Sequence, residues 1–189
     1  KEDYKQEAKW KNIKVACFDV DGILTDARVR FEGDEVGWNR DFNIYDGYGM
    51  KLLMAAGIKV GVITGGNSVS VKKRVEQLGL DFSYTGNEDK REAFLDVMKR
   101  YNVSAENILY MGDELFDIPL LKKAGFAATV PSAGIEVHEI ADYVTTRTSG
   151  NACAREVIDL LRYAQKIHPI IPEINLWKNE GRKFIARPY

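Results

Sequence analysis

Cysteine and histidine are scarce in this chain of 189 residues, with two of each. Cys17 sits inside an apolar run that reads as a buried strand, so neither a disulfide framework nor a two-thiol metal site is expected. Long hydrophobic runs are missing too. None approaches the ~20 residues a membrane-spanning helix requires, and the opening KEDYKQEAKW has no apolar centre of the kind a secretion signal carries. An excess of one charge is also lacking: 27 Lys and Arg face 28 Asp and Glu, a formal net charge of −1. Nucleic acids and anionic membrane surfaces are held by a cationic face, so this balance argues against both as partners. Repeats and low-complexity tracts do not occur. What is present, 45% hydrophobic and 29% charged residues, is the make-up of a cytoplasmic single-domain protein with a real core.

Apolar runs alternate with stretches of helical spacing. Strands are expected over residues 14–18, 58–63, 81–85, 107–111, 126–130 and 143–145. Helical periodicity occupies 47–56, 68–78, 89–101, 115–124 and 152–166, and Gly57 and Gly79 stand where helices commonly stop. Pro119 falls in a first helical turn, where its missing N–H is tolerated. Strands alternating with helices of this length need crossover connections, which predicts a doubly wound, Rossmann-like α/β fold. Its sheet is mostly parallel, with helices on both faces. The segment 27–43 breaks the rhythm and reads as a small β-hairpin inserted after the first strand. One domain is expected over 1–167. Residues 168–189, with Pro169, Pro172, Pro188 and the cationic GRKFIARPY, form a tail or an arm that docks on another chain.

In an open α/β sheet, ligands bind beyond the carboxyl ends of the strands. Those ends are polar here in a patterned way. The first leads into Asp19-Val20-Asp21-Gly22 and the second into Thr64-Gly65. Gly86 and then Lys90 follow the third, and Gly112-Asp113-Glu114 follows the fourth, with Asp117 one turn further on. Two aspartates with one residue between them point the same way along extended backbone, and Gly22 lets the chain bend around a ligand. Their hard oxygens suit Mg2+, and Asp113 can complete the set from the fourth strand. Mg2+ and Lys90 would weaken the repulsion between a carboxylate and an anionic phosphate. Thr64 and the N–H groups after it, Gly65 among them, suit phosphate oxygens at a helix start. Taken singly these are ordinary turn and cap sequences. Their order, at the ends of successive strands, points to one site.

FDVDGILTD (18–26), ITGG (63–66), Lys90 and GDELFD (112–117) resemble the four motifs of the haloacid dehalogenase-like phosphohydrolases. GILTDARVRFEGDE, YDGYGMKLLMAAGIKVGVITGGNS, VKKRVEQLGL, YTGNEDK, ILYMGDELFDIPLLKKAG and TSGNACAREVIDLL extend the likeness over roughly residues 13–162. They are similar to the small branch of that family, without a cap domain, whose substrate is 3-deoxy-D-manno-octulosonate 8-phosphate (KDO 8-phosphate). The resemblance implies a Mg2+-dependent phosphatase of a small acidic sugar phosphate. In it, Asp19 is the nucleophile that takes the phosphoryl group, and Asp21 is the acid and base, its backbone carbonyl also binding Mg2+. Thr64 and Lys90 hold phosphoryl oxygens, Asp113 is the third metal ligand, and Asp117 acts through its neighbours. Glu114 stands where the branch usually has a second aspartate and receives no ligand role. A homotetramer is also implied, in which hairpins associate and a neighbouring subunit closes the site, with Arg182, Lys183 or Arg187 reaching across.

Three other readings compete. A nonulosonate 9-phosphate would keep the reaction and change the substrate, and TSGNACAREV departs from the branch's usual glycine-rich form. Arg74 is a candidate for the substrate carboxylate or for a subunit contact. A receiver domain would need its phosphate-accepting aspartate after the third strand, where YTGN stands. A catalytically idle binding domain fits poorly with Asp19, Asp21 and Lys90 all present. His138 and His168 receive no role.

Overall fold

The computed structural model describes residues 9–171, so the tail residues Arg182, Lys183 and Arg187 lie outside the described residues. The fold starts from strand β1 (Val15–Phe18), buried at all four positions. The hairpin strands β2 (Arg30–Phe31) and β3 (Trp38–Asn39) follow, then helix α1 (Ile44–Ala55). Strands and helices then alternate: β4 (Lys59–Thr64), α2 (Val69–Leu78), β5 (Phe82–Thr85), α3 (Arg91–Tyr101), β6 (Ile108–Met111), α4 (Ile118–Leu121), β7 (Phe126–Thr129), α5 (Ile135–His138), β8 (Tyr143–Val144) and α6 (Cys153–Ala164).

Six strands form one sheet in the order β5-β4-β1-β6-β7-β8, and every neighbouring pair is parallel. β1 lies between β4 and β6, Val15 pairing with Lys59 on one side and Ile108 on the other. The chain winds outward from β1 to β5, crosses back, and winds outward again from β6. The reversal leaves a crevice beyond the carboxyl ends of β1, β4 and β6. Alternation along β1 sends Ala16 and Phe18 to a layer built from Met50 and Leu53 of α1, Val71 and Leu78 of α2, and Val157, Ile158 and Leu161 of α6. Val15 and Cys17 face Phe94 and Val97 of α3, Leu120 and Leu121 of α4, and Val137 of α5. Covering on both faces is why these strands carry unbroken apolar runs.

The doubly wound sheet and its hairpin are as the sequence predicts; several boundaries are not. Helix α1 starts at Ile44 rather than Gly47, because the Asn43 side chain accepts the Tyr45 N–H at 2.9 Å and caps the helix ahead of its apolar periodicity. The helix expected over 115–124 is divided. Leu115–Asp117 forms a 3₁₀ turn in which the Asp117 carboxylate accepts the N–H groups of Asp113 and Glu114, each at 3.1 Å, and α4 begins beyond it. The four-residue α5 has no counterpart in the sequence reading, since so short a helix carries no full hydrophobic period. The hairpin pairs only Arg30 with Asn39 and Phe31 with Trp38. Among the described residues no helix is long and apolar enough to cross a membrane.

Candidate active site

Asp19 is the first residue beyond β1, almost fully buried, and its Oδ1 accepts the Val20 N–H at 2.6 Å. The same oxygen lies 2.9 Å from Lys90 Nζ, which has no solvent exposure. Lys90 Nζ also donates to Asp117 Oδ1 at 2.6 Å and to the Tyr110 hydroxyl at 3.3 Å, and Tyr110 donates to the same Asp117 oxygen at 2.6 Å. Burial works against the Lys90 charge, but the flanking Asp19 and Asp117 outweigh it and raise its pKa above the ordinary lysine value. On Asp19, burial and the Asp117 charge push the pKa up, against the pull of Lys90. A buried cation is tolerated only in such company. Asp117 is saturated: Oδ1 serves Lys90 and Tyr110, while Oδ2 serves the two backbone N–H groups of the turn after β6. These bonds tie the turn after β6 to Lys90 and Tyr110.

Asp113 presents the opposite condition. Its Oδ1 is buried with no hydrogen-bond partner, and burial, then the Asp117 charge, pushes its pKa up to about 7. One oxygen each of Asp19, Asp113 and Asp117 falls within 4.8 Å of the others. Gly22, at φ 91°, sits against this group: a Cβ there would lie 2.0 Å from Asp113 Oδ2, so no side chain fits. An orphaned carboxylate oxygen inside a crowded acidic cluster suits a hard cation, and the donor set is one that Mg2+ accepts. The residues fit the metal, and with Asp117 already engaged, Asp19 and Asp113 are the side chains left to bind it.

The second motif lies alongside. Thr64, buried at the end of β4, accepts the Gly66 N–H on its Oγ1 at 3.2 Å, turning the backbone toward the start of α2. Gly86, after β5, donates to the carbonyls of Thr64 (3.1 Å) and Gly66 (3.2 Å). These bonds tie the turn after β5 to the turn containing Gly65. Asp21 meets a partner that sequence reasoning did not single out. Arg40, just beyond β3, donates from Nε to Asp21 Oδ1 at 2.6 Å and from Nη2 to Oδ2 at 3.0 Å. Its third nitrogen, Nη1, reaches the Oγ of Ser68, the N-cap of α2, at 2.5 Å. The only signal for Arg40 in the sequence is one basic residue at the end of a polar hairpin, which no periodicity or spacing distinguishes.

Arg74, the remaining candidate, and Glu114 lie elsewhere. Arg74 donates to the Asn43 carbonyl at 3.1 Å and to Gln77 Oε1 at 2.9 Å, and its guanidinium lies over the Phe42 ring. Those contacts join α2 to the start of α1 rather than to the carboxylates. Glu114 turns its side chain onto the Leu115 N–H at 2.7 Å and caps the turn, outside the acidic cluster.

Comparison with known proteins follows the same lines. A family model described as haloacid dehalogenase-like hydrolase matches residues 44–125. The 3-deoxy-D-manno-octulosonate 8-phosphate phosphatase KdsC of Escherichia coli (strain K12) is 37% identical over 160 residues, 84% of this chain and 84% of that protein. The crystal structure of the phosphatase of that name from Moraxella catarrhalis, in complex with magnesium, phosphate and KDO, superposes with a TM-score of 0.81. It is 34% identical and covers 85% of this chain and 91% of its own. The cobalt-bound Haemophilus influenzae phosphatase gives a TM-score of 0.78 at 35% identity, over 84% of this chain and 92% of its own.

Proposed function

The chain belongs to the haloacid dehalogenase-like hydrolases, and from that premise we propose a Mg2+-dependent phosphomonoesterase whose substrate is KDO 8-phosphate. The observation that carries the reading is the buried Lys90 held between Asp19 and Asp117 beside the orphaned Asp113 carboxylate. Burying charges at a sheet switch point costs stability, and such groups concentrate where chemistry needs them. Phosphoryl transfer explains them.

In this reading, Asp19, Asp113 and the backbone carbonyl of Asp21 hold Mg2+. The bound ion supplies positive charge to the phosphoryl oxygens. Lys90 and the Thr64–Gly65 turn orient the phosphoryl group against Asp19. An Asp19 carboxylate oxygen attacks phosphorus, and the bond to the sugar oxygen breaks as Asp21 gives that oxygen its proton. Asp21 then takes a proton from a water that attacks phosphorus. The bond to Asp19 breaks, releasing phosphate and restoring both carboxyl groups. Two steps replace one hard displacement. A nonulosonate 9-phosphate would pass through the same steps, so the choice of sugar rests on the named relatives.

Assembly belongs to the proposal as well. Phe31 and Trp38, 53% and 57% exposed, stand side by side on the hairpin with ring centroids 5.3 Å apart. Apolar side chains so placed favour burial against further copies of the chain, in the homotetramer the resemblance implies. Cytoplasmic action completes the reading, supported by two cysteines that are both free thiols.

The test is phosphate release from KDO 8-phosphate with Mg2+, against chelated enzyme and Asp19→Asn. Release should vanish with the metal and fall at least about 10³-fold in the variant. Undiminished turnover by Asp19→Asn would contradict the assignment.

A further inference from the structure

Arg40 is a buried cation that the proposed chemistry leaves unused. Its side chain is 6% exposed, although it follows a hairpin whose other large side chains face solvent. It closes a ring of contacts around the acid–base residue. Nε and Nη2 grip both oxygens of Asp21, Nη1 holds Ser68 Oγ, and Thr25 Oγ1 donates to Asp21 Oδ1 at 3.3 Å from the opposite side. Gly66 leaves room for this convergence. A Cβ there would come within 3.2 Å of Asp21 Oδ2, 3.6 Å of Thr64 Oγ1 and 3.7 Å of Arg40 Nη2.

The geometry suits positioning better than bulk packing. Asp21 lies on a turn whose backbone leaves helical angles and bends at Gly22, so its carboxylate has no secondary structure to fix its plane. A guanidinium fork bound through two parallel N–H groups fixes a carboxylate in plane and rotation, which an ammonium cannot do. Arg40 is itself anchored: its backbone N–H donates to Asn39 Oδ1 at 2.9 Å, and Asn39 is the last residue of β3. The fork therefore ties the hairpin, the first-motif turn and the N-terminus of α2 together at one carboxyl group.

We propose that Arg40 is a positioning residue that sets the orientation of Asp21 for proton transfer to the leaving oxygen and from the attacking water. This rests on the phosphatase reading above. Its consequence is a dependence on the leaving group. A sugar alkoxide cannot depart without a well-placed proton, whereas p-nitrophenolate can, so misplacing Asp21 harms one substrate far more than the other.

The experiment compares wild type, Arg40→Met, Arg40→Lys and Asp21→Asn on KDO 8-phosphate and p-nitrophenyl phosphate, with Mg2+ present. Arg40→Met should lower kcat for KDO 8-phosphate by roughly 10- to 100-fold, following Asp21→Asn in direction, with KM nearly unchanged. Its first-turnover release of p-nitrophenolate, which needs no proton from Asp21 and precedes attack by water, should stay within about threefold of wild type. Arg40→Lys, which keeps the charge and loses the fork, should recover only a small part of the loss. An equal fall in first-turnover leaving-group release on both substrates would overturn the proposal in favour of a structural role. A rise in KM alone would overturn it in favour of substrate binding, and an unchanged Arg40→Met would overturn it outright. Wild type that releases phosphate from neither substrate would refute the phosphatase reading, and the role of Arg40 with it.

Discussion

Asp46 shows what a single buried carboxyl group does in this fold away from the acidic cluster. It lies on α1, yet its Oδ1 accepts the Arg155 N–H at 2.7 Å in the first turn of α6. The residue at the N-cap of α6 is Ala152, whose side chain has nothing to offer, so the cap comes from another helix. Oδ2 has no hydrogen-bond partner, and burial pushes the pKa up to about 6 against the Arg155 N–H and the Arg147, Arg74 and Arg155 charges. A raised carboxyl pKa means that the folded state prefers the proton. The cost of losing it is absent below the ordinary value of 3.8, grows as pH rises, and is complete above about 6. The shift corresponds to about 3 kcal/mol at most. Asp46→Asn keeps an acceptor and removes the charge. Its stability relative to wild type, from urea unfolding, should improve by about 1–3 kcal/mol between pH 4 and pH 8. A difference that stays flat with pH would contradict this account. Residues differ in how far the sequence exposes them. Lys90 was legible because it follows a strand end in motif order, whereas Asp46 and Arg40 act across long chain separations, on partners at 155 and 21, that no local pattern encodes.

Among the elements, β5 is an edge strand of four residues paired only with β4. It also carries the chain through Gly86 toward Lys90. Close approach to β4 depends on Gly61: a Cβ there would lie 2.3 Å from the Phe82 carbonyl oxygen and 2.4 Å from its ring. Gly61→Ala should destabilise the protein by about 2 kcal/mol, as overpacking of a core does. That is a fall of about 4–8 °C in Tm, with faster amide exchange over residues 82–85 than over β6. An unchanged Tm would show that the two strands accommodate a methyl group. Legibility at this scale follows burial. β1 and β6, and β4 between Lys59 and Thr64, are apolar because both faces are covered, so the sequence displays them plainly. Boundaries set by side-chain caps, such as Asn43 before α1, lie outside the apolar pattern, and the break at Asp117 depends on a tertiary bond to Lys90.

For the whole molecule, the hairpin is the part whose sequence says least about its purpose. Its two-residue strands contribute nothing to the core, and Val29, Phe31, Val36 and Trp38 are about half exposed, at 49–57%. Association of several copies through these side chains would bury them and stiffen the base of the hairpin, where Arg40 grips Asp21. If the proposed homotetramer forms through these side chains, Phe31→Ser with Trp38→Ser should shift the mass by light scattering from four chains to smaller species, with the fold retained and turnover reduced. A double variant that remains tetrameric would move the interface elsewhere. The parallel sheet and the order of the motifs could be read from the chain, because they recur along it. The proposed homotetramer rests on the resemblance alone, because a segment of two-residue strands carries no periodicity that would mark an interface. The central claim concerns the reaction and its substrate, and kcat/KM over KDO 8-phosphate, nonulosonate 9-phosphates and hexose phosphates, at saturating Mg2+, tests it most directly. The account predicts a preference for KDO 8-phosphate of at least about tenfold over each competitor, about 1.4 kcal/mol in transition-state binding. Equal or better turnover of any competitor would contradict it.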